Sequence, residues 1–219
     1  MIDDIEALVF DMDGVLVDSA PIHVKAFLRV LSSYGITSFD YDVIAGMRTR
    51  DAMRLLLSNV HLTLDEATVD ALSLAKRAAF RELTKGGPPL MEGAVATVRA
   101  IATLGYRLAL ASSGSESSVN AFLSSSGVAS LFDVVLHGED VALAKPSPEI
   151  YLLTAKRLGL DPSHMLVVED SISGIRAAHT AGARVVAFRS SKNIIASLHG
   201  VVVSCANSLS DVLKLVAER

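Results

Sequence analysis

The sequence predicts an α/β fold: a parallel sheet with helices on both faces, and a small α-helical cap inserted after the first strand. Short apolar runs recur along the chain, and several lack polar alternation, which is typical of parallel strands buried on both faces. Helical patterns lie between these runs from residue 93 onward, whereas residues 18–88 contain helical patterns without a convincing strand. Repetition of strand, helix and strand indicates a Rossmann-like core.

Each predicted strand is an apolar run that ends at small or polar residues. The six runs cover residues 7–10, 108–111, 134–136, 165–168, 185–188 and 201–203. Three of the helices between them show apolar residues at helical spacing and a following glycine, Gly105, Gly159 or Gly182. Glycine is common just beyond the last turn of a helix, so these positions predict the three helix ends.

The cap is predicted from amphipathic stripes that are not interrupted by strands. One stripe runs through residues 24–31, another through residues 52–56, and a third joins Leu72, Ala75, Ala79 and Leu83. Pro21 and the Gly-Gly-Pro-Pro run at residues 86–89 mark the breaks on either side. The predicted domains are a core of residues 1–17 and 90–219 and a cap of residues 18–89.

Composition narrows the class of protein. The chain has 219 residues, of which 51% are hydrophobic, enough for a packed core and too many for a disordered chain. Acidic residues number 24 and basic residues 20, a balance that argues against a nucleic-acid partner. No apolar run approaches the roughly 18 residues of a membrane span. We therefore expect neither a nucleic acid nor a membrane as partner, and the sequence leaves monomer and homodimer equally open.

The one cysteine, Cys205, excludes an intrachain disulfide and a zinc cluster built on cysteines. Because it follows the apolar residues 201–203, we expect it to be a small buried hydrophobic side chain. The first six residues are acidic where a secretory signal is basic and then apolar. These features predict a cytoplasmic protein.

Two carboxylates, Asp11 and Asp13, directly follow the first predicted strand and precede Gly14. Ligands of open parallel sheets bind beyond the carboxyl ends of the strands, and residues two apart in extended backbone point the same way. Two neighbouring anions are costly unless a proton or a cation lies between them, and oxygen ligands suit Mg²⁺. An acidic turn explains the segment equally well, since Asp-Gly favours turns.

A second acidic pair, Glu169 and Asp170, follows the predicted strand at residues 165–168. On its own, Asp170 or Ser171 is a suitable N-cap for the next helix. Two strands that end in acidic residues at the same sheet edge nevertheless favour a metal site over two unrelated turns.

Two further strand ends carry groups suited to a phosphate. Ser112, Ser113 and Gly114 follow the strand at residues 108–111 and precede a helix, and hydroxyls with free N–H groups at a helix start bind anions. Lys145 precedes a proline-stiffened helix entry and would neutralise a phosphate or the carboxylates. A polar capping loop and a surface lysine are the simpler interpretations of the two segments taken alone.

Together, these segments resemble the four motifs of the haloacid dehalogenase superfamily, in its branch of phosphatases and phosphomutases. The first motif matches residues 11–15 (Asp-Met-Asp-Gly-Val), the second Ser112, the third Lys145-Pro146 and the fourth Glu169-Asp170. The resemblance extends over nearly the whole chain, including a helical cap of the family's small type. Sugar-phosphate phosphatases and β-phosphoglucomutase are the most similar members.

The resemblance implies a role for each matched residue. Asp11 would attack phosphorus and form an aspartyl-phosphate, and Asp13 would act as general acid and base. Asp11, the backbone carbonyl of Asp13, and Asp170 would hold Mg²⁺, with Glu169 as a ligand or as the partner of one. Ser112, Ser113 and Lys145 would bind the phosphoryl oxygens.

Cap residues give candidates for substrate binding. Ser19 is either an N-cap or a residue of the site, and His23 matches a cap histidine of β-phosphoglucomutase. Arg48 and Arg50 lie on a loop that touches the substrate in relatives, and arginine favours a second anionic group; a solvated helix start is the alternative. Lys76 is a further candidate, although a surface position is typical of such a residue.

The predicted function is Mg²⁺-dependent hydrolysis of a small phosphomonoester, a sugar phosphate, through the intermediate on Asp11. A phosphomutase with the same intermediate is the first alternative, supported by His23 and the cap cations. A non-catalytic phosphate-binding protein is the second, and the presence of both Asp11 and Asp13 argues against it.

Overall fold

The computed structural model describes residues 4–45, 47–190 and 200–218. Its strands are β1 (Ala7–Phe10), β2 (Arg107–Ala111), β3 (Val134–Leu136), β4 (Met165–Glu169), β5 (Arg184–Phe188) and β6 (Ser204–Ala206). Its α-helices within these residues are α1 (Ala20–Leu31), α2 (Thr49–Ser58), α3 (Glu66–Leu83), α4 (Ala94–Thr103), α5 (Glu116–Ser126), α6 (Glu149–Leu158), α7 (Ile172–Thr180) and α8 (Leu209–Ala217).

The six strands form one sheet in the order β3-β2-β1-β4-β5-β6, and every neighbouring pair is parallel. Strand β1 is central and completely buried, as its uninterrupted apolar sequence predicts. The chain first builds outward from β1 through β2 to β3 and then returns to β4 on the other side of β1. This reversal lies between β1 and β4, the position at which open α/β sheets bind their ligands.

Helices cover both faces of the sheet. Residues of α4, α5 and α8 pack with Leu8 and Phe10 in one apolar cluster. Residues of α6 and α7 pack with Ala7 and Val9 in another. Because successive residues of β1 point to opposite faces, this central strand contributes to both layers. The Rossmann-like α/β prediction is confirmed.

Helices α1, α2 and α3 form the cap, whose own apolar cluster includes Phe27, Leu31, Met53 and Leu57. The two connections to the core run side by side, since the Asp18 N–H donates to the Pro89 carbonyl over 2.9 Å. Val17 and Leu90 form an antiparallel bridge at the same place. These contacts support the boundaries at residues 17/18 and 89/90, which stay a prediction.

Three local predictions are wrong. The last strand begins at Ser204 rather than at residue 201, because pairing with β5 sets its register. Cys205 is exposed: this short edge strand turns Ala206 inward instead. In α3, Ala75 and Leu83 are exposed, whereas Ser73 and Lys76 are buried, because this helix turns a polar face toward a cavity below it.

Among the described helices, none is both long enough and apolar enough to cross a membrane.

Candidate active site

A cavity of about 430 Å³ lies between the cap and the carboxyl ends of β1, β2 and β4. Asp11, Asp13 and Asp170 form its floor, at the point where the strand order reverses. The cap supplies the opposite wall, which includes His23, Phe27, Lys76 and Phe80. Of the sequence-based candidates, His23 and Lys76 thus reach the cavity from α1 and α3.

Lys145 lies beneath the floor, with a side chain that is 1% exposed. Its ammonium donates to Asp11 Oδ1 over 2.6 Å, to Glu169 Oε1 over 2.5 Å and to the Ala111 carbonyl over 3.1 Å. Burial alone would lower the pKa of Lys145, but the carboxylates of Asp11 and Glu169 outweigh it and raise that pKa well above its usual value. Lys145 is therefore a permanent cation at the ends of three strands.

Glu169 accepts hydrogen bonds from several groups of this buried network. One of its oxygens also accepts from the Tyr151 hydroxyl over 2.8 Å, and the other accepts from the N–H and hydroxyl of Ser171 over 3.2 and 3.1 Å. A buried carboxylate is tolerated only when it is paired and hydrogen-bonded. Here all of these partners hold Glu169 in one place, and Glu169 in turn fixes Lys145.

Asp11 and Asp170 show that the floor has a surplus of negative charge. Burial raises the pKa of Asp11 to about 8; Lys145 opposes this rise, and Glu169 and Asp13 add to it. Burial also raises the pKa of Asp170 well above its usual value, together with the charges of Glu169, Asp11 and Asp13. Such shifts are expected where carboxylates are brought together for a cation or an anionic reaction partner.

Asp11, Glu169 and Asp170 each bring one carboxylate oxygen within 4.8 Å of the others. Hard oxygen donors of this kind suit Mg²⁺, which keeps waters or substrate oxygens in its other positions. A divalent cation would remove the electrostatic cost that raises the pKa values of Asp11 and Asp170. The residues present therefore fit the metal that the sequence predicts.

Two glycines leave the space that the carboxylates of Asp170 and Glu169 occupy. Gly14 has a φ of 81°, and a Cβ atom there would lie 1.8 Å from Asp170 Oδ2. A Cβ atom on Gly174 would lie 1.8 Å from Glu169 Oε1. Any side chain at either position would displace a carboxylate of the cluster.

Asp13 is held from the cap side. Its Oδ1 lies 3.3 Å from His23 Nε2, and the Ser19 hydroxyl also faces it. Burial raises the pKa of Asp13, but the hydrogen bond from His23, with help from Ser19 and Lys76, more than offsets this and leaves that pKa below its usual value. Asp13 is therefore ionised near pH 7.

His23 connects Asp13 to the cap lysine. Its Nδ1 lies 2.8 Å from Lys76 Nζ, and its ring stacks on Phe80 at 4.3 Å between centroids. Burial and the neighbouring Lys76 lower the pKa of His23, so the ring is neutral near pH 7. An ammonium can only donate, so Nδ1 is the acceptor, and Nε2 carries the proton that it shares with Asp13.

The loop after β2 forms one side of the cavity. The Ser112 side chain is completely buried, and its hydroxyl accepts from the Gly114 N–H over 2.9 Å. Ser113, Gly114 and Ser115 line the cavity, and Ser115 is the N-cap of α5. The positive end of the α5 dipole is thus directed at the cavity, an arrangement that favours anions.

The two candidate arginines of the cap occupy different positions. Arg48 lines the cavity, but its guanidinium donates to the core carbonyls of Gly138, Val141 and Ala142 over 3.1, 2.8 and 3.0 Å. Arg50 lies outside the residues that line the cavity and pairs with Glu66 at 2.5 Å and Asp70 at 2.7 Å. The structure brings Arg48 to the site and leaves Arg50 on the cap surface.

Sequence reasoning missed several residues of the site. Tyr151 supports Glu169 from α6, and a tyrosine at an apolar helix position was the available signal, because a buried hydroxyl requires a partner. Tyr41 and Phe80 line the cavity from the cap, where they resembled ordinary core aromatics. Gly138 packs against the loop after β2, and its N–H donates to the Gly114 carbonyl over 2.8 Å.

Comparisons with known proteins agree with this geometry. Residues 5–182 match the family model of haloacid dehalogenase-like hydrolases. A phosphorylated carbohydrates phosphatase of Thermotoga maritima is 34% identical over 180 residues, which cover 81% of this chain and 82% of that protein. The fructose-1-phosphate phosphatase YqaB of Escherichia coli is 32% identical over 180 residues, 80% of this chain and 92% of that protein.

A solved structure also matches. CbbY from Rhodobacter sphaeroides in complex with xylulose-(1,5)bisphosphate has a TM-score of 0.78 and 27% identity, covering 94% of this chain and 96% of that one. The buried Asp11–Lys145–Glu169 network, the acidic floor and the family match together assign the chain. It belongs to the haloacid dehalogenase-like hydrolases and is a phosphoric monoester hydrolase.

Proposed function

We propose that the chain hydrolyses a small phosphomonoester, a sugar phosphate, through an aspartyl-phosphate on Asp11, with Mg²⁺ as cofactor. The observation that carries this proposal is the position of Asp11. It lies on the cavity floor, and Lys145 holds one of its oxygens at 2.6 Å while Asp13 lies beside it. A nucleophile that is oriented from below and flanked by a proton-transfer group is the arrangement that covalent catalysis requires.

In the first step, a carboxylate oxygen of Asp11 attacks phosphorus, and the bond from phosphorus to the sugar oxygen breaks. Asp13 donates a proton to that leaving oxygen. In the free enzyme Asp13 is ionised, and a bound phosphate dianion favours its protonation, because a nearby like charge raises the pKa of a carboxyl group. Lys145, Ser113 and the N–H groups around Gly114 compensate the charge on the phosphoryl oxygens.

In the second step, Asp13 takes a proton from water, and the resulting hydroxide attacks phosphorus. The bond between phosphorus and Asp11 breaks, which releases inorganic phosphate and restores the free carboxylate. The hydrogen bond from His23 keeps Asp13 in place through both steps and favours its ionised form. Proton transfer by one positioned group in both directions is typical of general acid–base catalysis.

For the metal, we propose Asp11, the backbone carbonyl of Asp13, and Asp170 as direct ligands. Glu169 already accepts from Lys145, Tyr151 and Ser171, so it supports the site from behind. When bound, Mg²⁺ supplies positive charge that neutralises the phosphoryl group and favours the ionised form of Asp11. Removal by EDTA should abolish turnover.

The cavity volume of about 430 Å³ is in the range of small-molecule sites. Its wall combines Phe27, Phe80 and Tyr41 with His23 and Lys76, a mixture suited to a polar molecule with an apolar face. Two relatives are named as phosphatases of phosphorylated carbohydrates and of fructose 1-phosphate, which supports a sugar phosphate as substrate. We retain the sequence-based prediction of a cytoplasmic location.

The test is release of inorganic phosphate from a panel of sugar and metabolite monophosphates, with Mg²⁺ and with EDTA. We expect metal-dependent release from one or a few sugar phosphates, and none with the Asp11→Asn variant. Undiminished release from that variant would exclude Asp11 as the nucleophile. Isomer formation that requires an added sugar bisphosphate and yields no free phosphate would instead establish the phosphomutase.

A further inference from the structure

The six arginines of the cap differ in what they contact. Those that face away from the cavity are paired with carboxylates. Arg29 pairs with Glu82 at 2.9 Å, Arg50 with Glu66 and Asp70, and Arg54 with Asp51 and Glu66. Each of these three arginines therefore has a negative neighbour within the cap itself.

Among the residues that the structure describes, the three arginines that line the cavity form no ion pair with a carboxylate. Arg48 uses its guanidinium on three core carbonyls. Arg77 and Arg81 have neither a hydrogen bond nor an ion pair within residues 4–45, 47–190 and 200–218. The acidic residue next to Arg81, Glu82, pairs with Arg29 instead.

The geometry of α3 makes Arg77 and Arg81 a pair. Residues four apart on a helix lie on the same face, and both line the cavity together with Lys76 and Phe80. Lys76 is committed to His23 and lies over the Phe27 and Phe80 rings at 4.5 and 5.3 Å. The free cations of this face are therefore Arg77 and Arg81, both exposed at the cap end of the cavity.

Charge is thus distributed unevenly along the cavity. The floor carries the carboxylates of Asp11, Asp13 and Asp170, with the metal that they fit, and it receives the phosphoryl group that is transferred. The cap end carries the guanidinium groups of Arg77 and Arg81, which pair with no carboxylate of the described part of the chain. Arginine forms two parallel hydrogen bonds with a phosphate or a carboxylate, and such charge-assisted bonds are the strong ones.

We propose that Arg77 and Arg81 form a subsite for a second anionic group of the substrate, a phosphate or a carboxylate, at the end opposite the phosphoryl group that is transferred. This inference rests on the proposed phosphatase function and narrows its substrate class to bisphosphates or phosphorylated acids. It also moves the second-anion site from the arginines that the sequence favoured, Arg48 and Arg50, to α3.

The experiment compares substrates that differ only in the second group. Fructose 1,6-bisphosphate is paired with fructose 1-phosphate, and 3-phosphoglycerate with glycerol 3-phosphate. For the wild type, we expect the doubly anionic member of at least one pair to have the higher kcat/KM, by about tenfold or more for two charge-assisted contacts. The fructose pair tests whether the subsite binds a phosphate, and the glycerol 3-phosphate pair tests whether it binds a carboxylate.

In the double variant Arg77→Gln/Arg81→Gln, that preference should disappear, mainly through a rise in KM. The matched control is Arg54→Gln, which removes a paired cap arginine outside the cavity and should leave the preference unchanged. High salt should weaken the wild-type preference, because the two arginines are exposed.

Equal kcat/KM values within both wild-type pairs would overturn the proposal. So would a double variant that loses activity equally on both members of a pair. Failure of the phosphatase function itself would look different, since the wild type would then release phosphate from none of the four compounds.

Discussion

The two ends of the active-site cavity are each built around a buried lysine, and the two lysines differ in pKa. At the core floor, Lys145 contacts Asp11 and Glu169, which raise its pKa well above the usual value. At the cap end, burial lowers the pKa of Lys76 to about 8, aided by Arg77 and opposed only by the charge of Asp13. Burial is common to both, so the partners decide the sign of the shift.

Lys145 is therefore a permanent cation, whereas the charge of Lys76 changes near pH 8. Lys145 neutralises carboxylates that are present in every state of the enzyme. Lys76 contacts a neutral histidine and two aromatic rings, so its charge is poorly compensated until an anion enters the cavity. The charge of Lys145 is thus compensated without substrate, whereas the charge of Lys76 is not.

The largest effect is expected from removal of the floor cation. Lys145→Met leaves Asp11 and Glu169 buried without their partner, which should lower the free energy of unfolding by about 3–5 kcal/mol and abolish turnover. Chemical denaturation at pH 7 measures the first quantity. Lys156→Met, on the exposed side of α6, is the control and should change stability by less than about 0.5 kcal/mol.

A second change at the floor sharpens this result. Adding Glu169→Gln to Lys145→Met removes one of the two unpaired charges and should restore part of the lost stability. If the double variant is less stable than Lys145→Met by the full cost of another substitution, uncompensated charge does not explain the loss.

Gly14→Ala tests how closely the floor is packed. The new Cβ atom would overlap Asp170 Oδ2, so we expect kcat/KM to fall by about 100-fold, about 2.7 kcal/mol of transition-state stabilisation, with weaker activation by Mg²⁺. Gly35 has the same φ of 81° but no atom within 4 Å of a Cβ. Gly35→Ala therefore carries the same backbone strain without the overlap, and it should lower stability and leave Mg²⁺ activation intact.

Arg48→Ala tests the contact between the cap and the core. Arg48 makes three hydrogen bonds from the cap to core residues 138–142, so its loss should favour the open cap and admit water. We expect kcat/KM to fall by about tenfold for mono- and bisphosphates alike, the effect of losing about 1.4 kcal/mol. Arg54→Ala is the control. A loss confined to bisphosphates would instead identify Arg48 as an anion receptor.

The smallest effect concerns the pH dependence of stability at the cap end. Between pH 8 and 10.5, Lys76 is protonated in the unfolded chain and neutral in the folded protein, so stability rises with pH in this window. Relative to Lys76→Met, the wild type should gain about 1 kcal/mol of unfolding free energy from pH 7 to pH 9. The pKa values of Asp13 and His23 are lowered, so these groups titrate below this range. A difference that is constant with pH would contradict the low pKa of Lys76.

Much of the fold was predictable from sequence because its signals are local. Uninterrupted apolar runs predicted five strands closely, and glycines predicted helix ends. The sixth strand was displaced by three residues because pairing with β5, a tertiary contact, sets its register. The exposure of Cys205 follows from the same edge pairing.

The site divides in a similar way. Sequence motifs identified Asp11, Asp13, Lys145, Glu169 and Asp170 as candidates, because groups at the carboxyl ends of parallel strands converge wherever the sheet order reverses. Their roles in catalysis and metal binding remain proposals. Tyr151 and Gly174 were missed, since their function depends on what packs against them.

At the cap, the sequence determined which basic residues are present, and the tertiary structure decided which group each of them contacts. Arginine is equally compatible with a salt bridge, a carbonyl contact and a ligand site, so its local pattern cannot distinguish them. The packing of α3 over the cavity buried Lys76 and left Arg77 and Arg81 without an ion pair among the described residues. Contact between cap and core brought Arg48 to the carbonyls of residues 138–142. Motifs set the chemistry of the floor because strand ends have one geometry, whereas the specificity of the cap depends on distances between segments far apart in the chain.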